Sequence, residues 1–98
     1  MARELIISRE AESDLEDIWD YIAEDSPENG DRFADQLYSK CLDITALDGI
    51  GRPRDELADG LRSIPHKKYV IFFIREEKRV GIVRILRASR DIDSIIEH

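Results

Sequence analysis

The apolar residues of this chain change their period halfway along, and that change limits the folds open to it. In the first half they recur every three or four residues. Ala11, Leu15, Ile18, Trp19 and Ile22 form one stripe, and Phe33, Leu37, Cys41 and Ile44 form a second, with Ala34 and Leu47 beside it. That spacing is helical. In the second half Tyr69 to Ile74 is an unbroken run of β-formers, a pattern expected of a central strand covered on both faces. Helices lead and strands follow, so the fold class is α+β rather than α/β.

Local signals set the boundaries. Leu5-Ile6-Ile7 reads as a first strand within Glu4 to Ile7. Ser8 is placed to cap a helix from Arg9 to Glu24, with Glu10 and Glu12 in the first turn, where the helix dipole favours acids. Asp25-Ser26-Pro27 ends that helix and starts the next, which runs to about Leu47 before Asp48-Gly49. Gly49 to Arg54 reads as a loop, and Asp59-Gly60 as a turn. Three strands follow: Leu61 to Ile64, Lys68 to Arg75, and Arg79 to Arg87. The last two are joined by Glu76-Glu77-Lys78 as a hairpin. On the last strand alternation puts Val80, Ile82, Arg84 and Leu86 on one face, and Arg79, Gly81, Val83, Ile85 and Arg87 on the other. Asp91 to Glu97 suits one helical turn. The expected order is β-α-α-β-β-β, a helical hairpin packed on one face of a mainly antiparallel sheet. The other face is expected to stay open for a partner.

The 98 residues suit a single domain spanning 1–98. No apolar run nears the ~20 residues of a membrane span. The opening MARELIISRE has no signal-peptide core. A cytoplasmic protein is the expectation. The one cysteine, Cys41, lies on an apolar stripe and reads as a packing thiol. The two histidines, His66 and His98, make no ligand-spaced pair with it, so neither a metal site nor a cofactor is expected. Trp19 reads as core and His66 as a solvated residue between strands.

Charge is divided along the chain. Residues 1–49 hold four basic and fourteen acidic groups, and residues 50–98 hold eleven basic and eight acidic. The halves therefore carry −10 and +3, which sum to the net charge of −7. Such asymmetry suggests two surfaces that meet different partners. An acidic protein is disfavoured from nucleic acid held by phosphate neutralisation, so no direct nucleic-acid contact is expected.

The second half also carries distinctive text. Gly51-Arg52-Pro53-Arg54 is followed by Glu56-Leu57, then Gly60-Leu61-Arg62-Ser63-Ile64-Pro65. Tyr69-Val70-Ile71-Phe72-Phe73 comes next, then Ile82-Val83-Arg84-Ile85-Leu86 and Arg90-Asp91. With Ala11, Asp14-Leu15, Ile18 and Tyr21-Ile22 in the first helix, the chain resembles the ParE branch of the RelE/ParE toxin superfamily from about Leu5 to Asp91. The resemblance implies the toxin of a type II toxin–antitoxin pair. Such a toxin binds a protein target, typically DNA gyrase, and is not itself an enzyme. It is neutralised in a hetero-oligomer with a ParD-like antitoxin whose extended C-terminal segment, part helix and part strand, lies across it, with the helical hairpin and the basic sheet as the acceptor surfaces. Arg62, Arg84 and Arg87 are the candidates to meet antitoxin carboxylates, since guanidinium groups pair with them in bidentate fashion. Arg90 joins them as a candidate antitoxin- or target-binding residue. Phe73 stands where family members often carry Tyr, and Arg87 where they often carry His.

Two other readings follow from the same residues. A RelE-like toxin cleaves mRNA on the ribosome, and needs a base, an acid and cations around the phosphate. Such enzymes tend to use a tyrosine near the C-terminus, and this chain has none beyond Arg90. A toxin fold kept as a non-toxic, antitoxin-bound module is the third reading. Arg84, flanked by apolar neighbours, is either paired with a carboxylate inside the fold or displayed to a partner.

Overall fold

A computed structural model describes residues 3–89, together with Ile92 and Ile95. Strand β1 (Glu4–Ile7) leads into helices α1 (Arg9–Ala23) and α2 (Pro27–Ala46). Strands β2 (Arg52–Pro53), β3 (Leu61–His66), β4 (Tyr69–Arg75) and β5 (Arg79–Arg87) follow. The sheet order is β1-β5-β4-β3-β2. β1 runs parallel to β5, and every other pairing is antiparallel. The α+β class and the helical hairpin on a mainly antiparallel sheet are as the sequence predicts. β2 is an addition, a two-residue edge strand inside the predicted loop. Its proline is tolerated because an edge strand needs no donor on its outer side.

The caps work as their residue types require. Ser8 Oγ accepts from Ala11 N at 3.0 Å and donates to the Val83 carbonyl at 2.9 Å, tying the start of α1 to β5. Ser26 caps α2 with Pro27 in its first turn. The last turn of α2 has no basic residue of its own. Arg75 from β4 supplies that charge, donating to the carbonyls of Ile44, Leu47 and Ile50 at 3.1–3.4 Å.

The main core lies between the helices and the sheet. Ala11, Ile18, Leu37, Cys41 and Ile44 meet Tyr69, Ile71, Phe73, Val80, Ile82 and Ile85 there. The opposite face departs from expectation. Leu61, Phe72 and Leu86 are buried on it under Leu57, Val70, Ile74 and Val83, with Ile92 and Ile95 packed against them. The outer face is therefore a second small core rather than an open sheet. Burying a phenylalanine such as Phe72 stabilises by roughly 1.5–3 kcal/mol, which makes covering this face worthwhile.

The alternation predicted for β5 also fails, for a local reason. Phe72 pairs with Arg84 while Phe73 pairs with Ile82, so Val83 is an extra residue in β5. This bulge resets the faces. Val80, Ile82 and Ile85 join the helix-side core, and Val83 and Leu86 join the outer one. Trp19 is a further correction. It is 37% exposed, and it lies over Gly30 rather than in the core.

Candidate interaction surfaces

The four sequence-predicted arginines do not form one cluster. Arg84 and Arg87 lie on β5, and Arg62 lies on β3. One strand, β4, separates them, a gap of roughly 10 Å across the sheet. Arg90 lies outside the described residues.

Arg84 takes the internal alternative. Its Nε and Nη2 donate to the two carboxylate oxygens of Asp14 at 2.8 and 2.9 Å. Asp14 Oδ2 also accepts from Ile85 N at 2.9 Å. Both side chains are largely buried, 25% and 11% exposed. The Asp14 hydrogen bonds push the Arg84 pKa further up, against the effect of burial. The pair bolts α1 to the bulged strand. Asp14 is the internal carboxylate partner that the sequence left unnamed for Arg84. The signal was available: a carboxylate three residues after Ala11 and four before Ile18 sits beside the buried stripe, and Arg84 offers the matching charge.

Arg62 Nη2 donates to the Gly51 carbonyl at 2.8 Å, while its Nε is buried without a partner among the described residues. Arg75 lies two residues beyond Phe73, the Cα partner of Arg62. Burial holds the Arg75 pKa down, and the nearby Arg3 and Arg62 charges push the same way. Arg54 bridges Glu56 at 2.8 Å and reaches Ser63 Oγ. This end of the sheet is therefore rich in guanidinium groups that mostly hold backbone carbonyls. Arg87 sits over the Tyr21 ring at 5.5 Å, a cation–π contact. It lines a cleft of about 190 Å³ with Asp14, Asp17, Tyr21 and Tyr69.

A larger groove, about 600 Å³, opens on the outer face beside β1. Ile6, Ile74, Gly81, Val83 and Ile95 give it an apolar lining, and Glu10, Glu76, Arg79 and Arg84 also line it. Arg79 is bridged to Glu76 at 3.0 Å. Arg84 Nη1 makes no hydrogen bond among the described residues.

The residues that a nuclease reading would recruit are placed otherwise. His66 is half-buried rather than solvated, and its ring tilts against Phe33 at 5.6 Å. Burial, helped by Lys67 and Lys40, holds its pKa below the ordinary 6.5. Tyr69 is buried, and Tyr21 and Tyr38 are exposed on the helices. Burial pushes the Cys41 thiol up to about 11, far from a nucleophile's range. No described helix is long and apolar enough to cross a membrane.

Comparison with known proteins adds three findings. The family model described as the ParE toxin of the type II toxin–antitoxin system parDE matches residues 5–92. Toxin ParE1 of Caulobacter vibrioides is 33% identical over 84 residues, covering 85% of this chain and 86% of that protein. A solved structure titled as the chromosomal ParDE TA system from P. aeruginosa has the same fold. It superposes with a TM-score of 0.73 at 22% identity, over 88% of this chain and 96% of that one.

Proposed function

We propose a function from one premise: this chain belongs to the ParE toxin family of type II toxin–antitoxin systems. It is a ParE-type toxin of a ParDE pair. On our reading it is a single-domain, cytoplasmic, non-enzymatic inhibitor that binds DNA gyrase. A ParD-like antitoxin neutralises it in a hetero-oligomer.

The observation that carries the binding reading is the state of the cationic side chains. Arg84 is held by Asp14, Arg62 by the Gly51 carbonyl and Arg87 by the Tyr21 ring. They are spread over two strands and locked to internal partners. Phosphodiester cleavage needs cations converging on one phosphate beside a base and an acid. This arrangement suits recognition of a protein surface instead. We assign Arg62, Arg84 and Arg87 to contacts with antitoxin carboxylates, Arg84 through the Nη1 that Asp14 does not use, and Arg90 to antitoxin or target binding.

The deciding measurement is plasmid supercoiling by purified gyrase in the presence of the chain. Loss of supercoiling with trapped, cleaved plasmid, reversed by the antitoxin, is expected. Intact gyrase activity together with ribosome-dependent mRNA cleavage would replace this reading with the RelE-like one.

A further inference from the structure

Gly81 leaves a gap in the outer face of the sheet. The register sets it between Ile6 on β1 and Ile74 on β4. Those strands flank β5, roughly 10 Å apart. Val80 and Ile82, its chain neighbours, belong to the helix-side core, so position 81 faces outward. A Cβ built there would meet nothing within 4 Å, and the φ of Gly81 lies outside the left-handed region.

Nothing in the fold therefore asks for glycine at this position. Glycine inside a strand weakens it, and marks a bulge, a tight bend or the close approach of another chain or ligand. The bulge lies two residues on, at Val83, and pairing runs unbroken through Gly81 to both neighbouring strands. Close approach is the reason left. Ile6 supports it independently. At 40% exposed, it is the one exposed large hydrophobic on a strand among the described residues.

The gap is part of the groove of about 600 Å³, where Ile74, Val83 and Ile95 join Ile6 as walls. Arg84 lines the same groove, three residues along β5 from Gly81. Its Nη1 is the donor that the proposed function gives to an antitoxin carboxylate. Of the two carboxylates in the lining, Glu76 is held by Arg79 at 3.0 Å, and Glu10 offsets part of the Arg84 charge. The groove therefore selects by size and apolarity first, and by charge second.

We infer that Gly81 is a specificity-determining residue for the antitoxin. The socket between Ile6 and Ile74 takes one large apolar side chain of the antitoxin, next to the acid that reaches Arg84. The inference deepens the proposed function and rests on it. A small antitoxin residue leaves the socket empty, and a polar one is buried there without a partner. A larger toxin residue at position 81 shuts out the cognate antitoxin by steric clash.

The test uses Gly81→Ala and Gly81→Val with purified ParD-like antitoxin. Both variants should fold, seen by circular dichroism and thermal melting, because the Cβ has room and valine suits a strand. Titration calorimetry should show Gly81→Val binding antitoxin ~10-fold or more weakly, and Gly81→Ala less so. Each large apolar residue of the antitoxin is then cut to Ala in turn. One cut should weaken binding to wild type strongly and to Gly81→Val little, since the two changes empty and fill the same socket. A folded Gly81→Val that binds as wild type does would overturn the inference. Losses that simply add at every antitoxin position would also overturn it. Should Gly81→Val not fold, Gly81→Ala is read alone by the same criteria. Growth arrest is measured in parallel. A variant that keeps antitoxin affinity but no longer arrests growth would hand the groove to the target and sink the inference. Wild type that binds no antitoxin at all removes the proposed function, and this inference falls with it.

Discussion

Asp14 does three things with two oxygens. It receives Arg84 twice and the Ile85 amide once. Removing it leaves a largely buried guanidinium unpaired and a strand amide without an acceptor. Asp14→Ala should therefore cost ~2–3 kcal/mol, seen as a lower urea midpoint at unchanged slope. Arg84→Ala on top of it should add little, giving a coupling of ~1–3 kcal/mol in a double-mutant cycle. His66 makes a different kind of prediction. Its folded-state pKa lies below the unfolded value, so the unfolded chain takes the proton first. The stability it allows is complete above about pH 6.5 and is lost as the pH falls through and below that value. His66→Gln should flatten the stability profile between about pH 7 and 5.5, measured by urea titration at each pH. The arginine candidates were legible as charges amid apolar strand text. Their partners were not, because Asp14 and Arg84 are 70 residues apart in sequence.

Gly51 decides how β2 can reach the sheet. Its φ is +91°, a region that side chains strongly disfavour. A Cβ there would lie 2.6 Å from Cζ of the fully buried Phe73 ring. Gly51→Ala should destabilise by ~2–4 kcal/mol, combining backbone strain with overpacking, and thermal denaturation would show it. Gly60 has a similar φ of +75° but open space around it, so Gly60→Ala should carry the backbone penalty alone. The helices and the strands β1, β3, β4 and β5 were readable because their apolar periods and capping residues agree. The bulge at Val83 was not. A bulge leaves the composition of a strand intact and changes only its register, which is fixed by the partner strand. Trp19 was misplaced for a related reason. It sits on the edge of a genuine apolar stripe, and Gly30, with no side chain of its own, lets α2 approach there.

At the scale of the molecule, one sheet separates two cores. The charge division was visible in sequence as −10 against +3, and the structure assigns the acidic share to the hairpin. The second core was hidden, because its cover comes from residues far apart in the chain. Leu57 belongs to the β2–β3 connection, and Ile92 and Ile95 follow β5. If Ile92 and Ile95 are structural lids, Ile92→Ala with Ile95→Ala should expose Leu61, Phe72 and Leu86 to water. Each truncation removes a half-buried side chain, so the pair should cost ~2–4 kcal/mol, less than full burial would give. Dye binding to newly exposed apolar surface should rise in parallel. The helix-side core, with Ile44 and Phe73 fully buried, should hold its fold under the same conditions. Unchanged stability with altered antitoxin affinity would make these isoleucines part of the groove's recognition surface, and would return the outer face to the open role first expected of it.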